Sequence, residues 1–115
     1  MIVELVTFRA PPGGDWDSIL NEAREVIPRW RADPQLLRKH FLLSDDEAEC
    51  GGLYFWPTRA AAEAAHDAAW RENVARRTGA LPTIRYFALQ MLLDNEAGTV
   101  TEWLKNGTTV TRPAD

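Results

Sequence analysis

The sequence predicts an α+β domain with the element order β-α-β-β-α-β, and three observations carry that prediction. Four segments rich in β-branched, aliphatic and aromatic residues (2–8, 35–43, 50–56 and 83–93) read as strands. Two segments with helical spacing or composition (16–30 and 59–77) fall between the first and second strands and between the third and fourth. Clusters of Pro, Gly, Asp and Asn punctuate the joins.

The first strand, Ile2 to Phe8, ends at Pro11-Pro12-Gly13-Gly14. Asp15 then stands where a helix N-cap belongs, its carboxylate able to accept from the open N–H groups of the first turn. Trp16, Ile19, Leu20, Ala23, Val26, Ile27 and Trp30 follow at steps of three and four, one apolar stripe opposite Asp17, Asn21, Glu22 and Glu25. Pro28 removes one helical hydrogen bond and predicts a kink or an early end. Asp33-Pro34 marks a turn into the second strand, and an acidic loop from Ser44 to Glu49 joins it to the third, which Gly51-Gly52 opens. Pro57 stops that strand and Thr58 is the expected N-cap of the Ala-rich segment 59–77, which Gly79 ends. Residues 83–93 form the longest apolar run, closed by Asp94-Asn95. The domain is expected to span residues 1–94. Residues 95–115 are expected to be a C-terminal extension that docks through Trp103 and Leu104, with a short strand at Thr108–Thr111.

This order is the split β-α-β, or ferredoxin-like, pattern: a four-stranded antiparallel sheet with two helices on one face and strands 1 and 3 in the centre. In the last strand Ile84, Tyr86, Ala88 and Leu92 alternate with Phe87, Leu89, Met91 and Leu93, so both faces are apolar. A sheet with one wet face alternates apolar and polar residues instead. Two helices cover one face, which predicts a C2 homodimer packed sheet to sheet, the alternative being a tail folded over the open face.

The bulk composition excludes several classes. A net charge of −4 gives no electrostatic footprint for nucleic acid, and Arg76-Arg77 read as a complement to a helix C-terminus. No stretch reaches the roughly 20 apolar residues of a membrane helix, and the start Met-Ile-Val-Glu reads as a strand, not a signal peptide. Cys50 is the only cysteine, which rules out an intramolecular disulfide and a cysteine-built zinc cage. A cytoplasmic protein is expected. Five Trp are more than a core of this size needs, and point to an interface or a pocket for a flat apolar ligand. Phosphate-loop, dinucleotide and nucleophile-elbow signatures are absent.

Asp33-Pro34 with Leu36-Leu37-Arg38-Lys39-His40-Phe41, the run Gly51-Gly52-Leu53-Tyr54-Phe55-Trp56, the Ala-rich helix with Trp70, and Gly79-Ala80-Leu81-Pro82 together resemble the dimeric α+β-barrel monooxygenases. The resemblance runs from about residue 2 to 94 and is nearest to small bacterial proteins of that group, with antibiotic-biosynthesis and haem-degrading monooxygenases as more distant relatives. It implies a pocket between sheet and helices in each subunit, with the other sheet face in the dimer. The superfamily also hosts isomerases, dehydratases and proteins of no known activity, so the fold alone does not fix the reaction.

Among residues that carry chemistry, His66, Trp70 and Asn73 lie at i, i+4 and i+7 on the border of a face of small residues (Ala61, Ala62, Ala65, Ala68, Ala69). That face either brings the helix close to the sheet or leaves room for a ligand. His66 suits a base or a metal ligand, and equally a packed, partly exposed position. Haem-degrading relatives use the same residue types, but their placement here does not match, and haem is not carried over. Glu4 on a central strand needs a partner such as Arg38, His40 or Arg85, or else is a desolvated carboxylate able to act as base. Tyr54 and Trp56 share one face of the third strand; Tyr86 and Gln90 share a face of the fourth, where Gln90 needs a hydrogen-bond partner.

The expected function is that of a cofactor-independent monooxygenase acting on a small aromatic such as a polyketide-type phenol or quinol. His66, His40 or Glu4 would be the base; Trp70, Trp56 and Tyr54 would clamp the ring, with Tyr86 beside them; Asn73 and Gln90 would orient oxygen atoms. No metal and no other cofactor are expected. The alternatives are a non-catalytic dimeric ligand-binding or stress-related protein, and an isomerase or cyclase using the same pocket.

Overall fold

The computed structural model describes all residues from Met1 to Asp115. Strands β1 (Ile2–Arg9), β2 (Arg38–Leu43), β3 (Glu49–Trp56) and β4 (Thr83–Ala88) form one antiparallel sheet in the order β2-β3-β1-β4. The central pair is the predicted one. Its register sets Glu4 opposite Tyr54 on one side and Tyr86 on the other. Gly51 is required where β1 and β3 meet: a Cβ there would lie 1.8 Å from the Val6 carbonyl oxygen.

Helix α1 (Trp16–Arg31) starts at Asp15, which accepts from the Ser18 N–H while the Ser18 hydroxyl accepts from the Asp15 N–H, a reciprocal cap. It runs through Pro28 to Arg31, past the expected kink or end. Arg24, whose carbonyl Pro28 cannot serve, is exposed, as is Pro28 itself, so the lost bond falls on the solvent side of the helix, where it costs least.

The Ala-rich segment is two helices, not one. Thr58 caps α2 (Arg59–Ala65), accepting from the Ala61 N–H. His66 leaves helical geometry at φ −116°, ψ 56°. Asp67 then caps α3 (Ala68–Thr78) by accepting from the Trp70 N–H, and Gly79 closes it at φ 86°. A good N-cap residue in mid-run restarts the helix, and the break turns the His66 side chain toward the sheet.

The predicted long fourth strand is also two elements. The ladder of β4 with β1 closes at the bond from Leu89 N–H to the Met1 carbonyl, and the chain leaves the sheet. Strands β5 (Met91–Asp94), β6 (Thr99–Trp103) and β7 (Thr109–Pro113) form a separate antiparallel meander, where the sequence suggested only one short strand. Asp94 holds its first turn through the N–H groups of Glu96 and Ala97. Arg112 pairs with Glu102 and Thr101 with Thr111 across the last two strands. The radius of gyration is 16.0 Å, against about 13 Å for a compact chain of this length, because the meander extends from the body as an arm.

Only twelve of the 115 residues are buried. Val6, Trp30, Tyr54, Trp56 and Ala62 form the core cluster between sheet and helices. The α1 stripe is largely uncovered, with Trp16 61% and Ile27 50% exposed, because the helix stands off the sheet over a cavity.

Candidate functional site

Strand alternation turns Glu4, Val6, Tyr54 and Trp56 toward the helices. Glu4 is fully buried there, and each carboxylate oxygen has its own partner. The Trp56 indole N–H donates to Oε1 at 2.8 Å, and His66 Nδ1 lies 2.9 Å from Oε2. These replace the partners expected from sequence. Arg38, His40 and Arg85 belong to the alternate positions of their strands and point to the opposite face, with Arg38 and Arg85 over the rings of Phe55 and Phe87.

An ionised Glu4 only accepts hydrogen bonds; opposite it His66 Nδ1 carries the hydrogen, which in a neutral ring leaves Nε2 as the lone-pair nitrogen. That Nε2 is the one buried side-chain nitrogen or oxygen with no hydrogen-bond partner. Four aromatic rings enclose the imidazole: Trp70 at 4.4 Å between centroids, Tyr54 at 4.6 Å, Trp30 at 5.3 Å and Trp56 at 6.4 Å. An orphaned buried acceptor is costly, and such exceptions concentrate where chemistry or binding uses them.

Three of these rings, Trp30, Tyr54 and Trp70, also form a wall of a cavity of about 290 Å³ between α1, α3 and the sheet. Ile19, Ala23 and Val26 of α1 and Phe41 of β2 add apolar surface, and Asn73, Cys50, Lys39 and Arg77 add polar groups. Burial, and then the charge of Glu4, hold the Tyr54 phenol far above its ordinary range, so it remains a hydroxyl. Burial also raises the Cys50 thiol. Lys39 is pulled down to about 7, first by burial and then by the neighbouring Arg29 guanidinium.

The structure thus brings Glu4, His66, Trp56, Tyr54 and Trp70 together, with Asn73 on the adjoining cavity wall. His40 is not among them: it lies on the outer sheet face, exposed, edge-on to Phe55. Gln90 is exposed in the link to the arm, where its carbonyl accepts from the Trp103 N–H. Tyr86 faces the helices but packs on the core beneath Arg59, away from the cavity lining. Trp56 anchors Glu4 and does not line the cavity. Sequence reasoning missed Lys39 and the part Trp30 plays beside it. The available signal was alternation: Lys39 and Phe41 fall on one face of β2, and Lys39 pairs with Tyr54 across the ladder.

No protein-family profile and no curated protein sequence matches this chain. Solved structures do. A crystal structure of an antibiotic biosynthesis monooxygenase superposes with a TM-score of 0.59 at 15% identity, covering 77% of this chain and 98% of the other. The NE2512 protein of unknown function from Nitrosomonas europaea gives 0.61 at 18% identity, covering 76% and 87%. The ActVA-Orf6 monooxygenase of Streptomyces coelicolor, solved with nanaomycin D, gives 0.59 at 18%, covering 77% and 87%. The chain therefore has the ferredoxin-like fold of antibiotic-biosynthesis-monooxygenase-type structures. At these identities the likeness is one of fold, and activity has to be argued from the site.

Proposed function

We propose that the protein is a cofactor-independent monooxygenase acting on a small phenol or quinol, with the Glu4–His66 couple as its base. The observation that carries this reading is the unpartnered Nε2 of His66, its ring fixed through Nδ1 by a buried carboxylate, against the aromatic wall of an apolar cavity. Nε2 takes the phenol proton. The electron-rich ring then reduces dioxygen and forms a C–O bond. Loss of the ring C–H proton with hydroxide, as water, leaves a second carbonyl, so one phenol and one dioxygen give one quinone and one water with no other reductant. Trp70 and Tyr54 clamp the ring and Asn73 orients its oxygen. The monooxygenases among the superposed structures support the reading, ActVA-Orf6 with its bound nanaomycin D in particular.

One observation favours a second reading. Trp30, Tyr54 and Trp70 stand between His66 and the cavity, and His66 itself does not line it. A non-catalytic ligand-binding protein needs no opening of that wall; an oxygenase or an isomerase does. Oxygen uptake with a panel of naphthols, anthrones and hydroquinones separates them. Stoichiometric uptake that His66→Ala abolishes supports the oxygenase. Tight binding without uptake or product overturns it.

The same proposal includes a homodimer. Val3, Leu5, Leu53 and Phe55, all half-buried, and the exposed Phe87 form an apolar outer face opposite the helices. A second copy supplies a matching surface, and the arm, with Met91 and Leu93 more than half exposed, reaches toward it. No helix is long and apolar enough to cross a membrane, and the free Cys50 thiol suits a reducing compartment such as the cytoplasm.

A further inference from the structure

Lys39 is a part-buried cation, enclosed by aromatic rings, that no carboxylate pairs. Its Nζ lies 3.9 Å from the ring centre of Phe41, 4.4 Å from Trp30 and 4.8 Å from Tyr54, and no carboxylate comes within ion-pair distance. Its stem occupies space that Gly52 leaves open, since a Cβ there would meet Lys39 Cε at 3.1 Å. Three aromatic faces return part of the lost hydration of an ammonium group, but a half-desolvated cation without a counter-charge remains costly. The charged groups facing it do not relieve this. Arg29 and Glu22 come from α1 and Arg77 from α3, three cations against one carboxylate around the cavity once Lys39 is counted. Tyr54 and Cys50 of β3 both stay neutral through the ordinary pH range.

We infer that the cavity takes an aromatic anion, a carboxylate or an ionised phenol, and that its negative group sits at Lys39 Nζ with the ring against Trp30 and Tyr54. This rests on reading the cavity as an aromatic-ligand site and not on the oxygen chemistry. An anionic group offsets the desolvation that the rings leave uncompensated, and the low proton affinity of Lys39 makes its charge respond to the arrival of a counter-ion. Lys39 is then the specificity-determining residue, separating acids from neutral aromatics of the same shape.

The test compares 2-naphthoate with 2-naphthamide, matched in size and differing in charge, by titration calorimetry. The wild type is expected to bind the naphthoate about tenfold more tightly at pH 6, with the preference lost in Lys39→Met and kept in Lys39→Arg. Raising the pH from 6 to 8.5 should weaken naphthoate binding to the wild type and leave Lys39→Met unchanged. A second readout needs no variant. Lys39 and Lys105 are the only lysines, so side-chain NMR of the wild type resolves both, and saturating naphthoate should raise the titration midpoint of Lys39 alone. Equal affinity for the two probes, a preference that survives Lys39→Met, or an unmoved Lys39 signal overturns the inference while leaving the aromatic site intact. Failure of both probes to bind overturns the aromatic site as well.

Discussion

Glu4 and His66, 62 positions apart in the chain, meet at 2.9 Å with both side chains fully buried, and an ionised Glu4 in that contact places the imidazole hydrogen on Nδ1. Glu4→Gln tests this. The amide oxygen can still accept from Trp56, but the amide then presents its NH₂ to Nδ1, which must become the acceptor. The ring switches tautomer and Nε2 gains the hydrogen. Nitrogen-15 NMR of His66 should show the exchange, and oxygen uptake on phenols should fall by roughly 10²–10⁴-fold, as expected when a general base is lost. An unchanged tautomer in the variant would falsify the assignment. Glu4→Ala, which leaves two buried donors without an acceptor, should cost about 3–5 kcal/mol in thermal or denaturant unfolding.

The two glycines of β3 should respond differently to a methyl group. In Gly51→Ala the new Cβ meets backbone, the Val6 carbonyl oxygen at 1.8 Å, and the central strands cannot stay paired. Soluble, cooperatively folding protein should be lost. In Gly52→Ala the nearest atoms belong to side chains, Lys39 at 3.1 Å, whose flexible end can give way, and the packed Tyr54 ring at 2.8 Å, which can shift only by disturbing the aromatic cluster, not the backbone ladder. That variant should fold with an altered cavity. Circular dichroism melts of both distinguish the cases, and a normally folded Gly51→Ala contradicts the register of β1 on β3.

Lys39 gives stability a pH dependence of known sign. Its proton is held more weakly in the folded chain, at about 7, than in the unfolded one, near 10.5. Between those values the unfolded state binds more protons, so stability rises with pH, by up to about 1.4 kcal/mol per unit. Below pH 7 both states are protonated and the full penalty is present. Lys39→Met should therefore be more stable than the wild type at pH 6.5, with the gap narrowing toward pH 8.5. Comparing the two chains cancels the upward shifts of Cys50 and Tyr54. A constant gap across that range means that Lys39 titrates normally.

The arm makes a prediction about assembly. The ladders of the β1–β4 sheet use no residue beyond Ala88, so a chain ending at Leu89 should keep the body's circular dichroism. If β5–β7 grip a second copy, its dimer should dissociate at a concentration at least about tenfold higher by sedimentation. An identical dissociation constant removes the arm from the interface. A wild type that is monomeric at micromolar concentration removes the dimer.

The sheet was legible because its signals are local: β-branched runs, Asp15 and Thr58 as caps, Gly79 as a stop. The two misread elements were contests between a run and a punctuation mark within it. Asp67 outweighed the helix propensity of its Ala-rich surroundings, and the apolar run 83–93 hid a departure from the sheet that only the pairing partner determines. The candidate site was half legible. Glu4 and His66 were each visible as groups needing an explanation, but their meeting depends on the break after Ala65. His40 and Gln90 were placed with them because residue type says nothing about which face of a sheet, or which side of a strand end, a side chain occupies. Lys39 was hidden for the converse reason: a lysine on an edge strand reads as solvated until Trp30, from the last turn of the preceding helix, closes over it.

Three of the five tryptophans touch the His66 ring, two of them through the cavity wall. Entry of a ligand, or a change in the charge of that ring, must alter the surroundings of several indoles at once. The molecule therefore carries its own optical reporter, and quenching or spectral shift of its intrinsic emission will follow occupancy in real time without any attached dye.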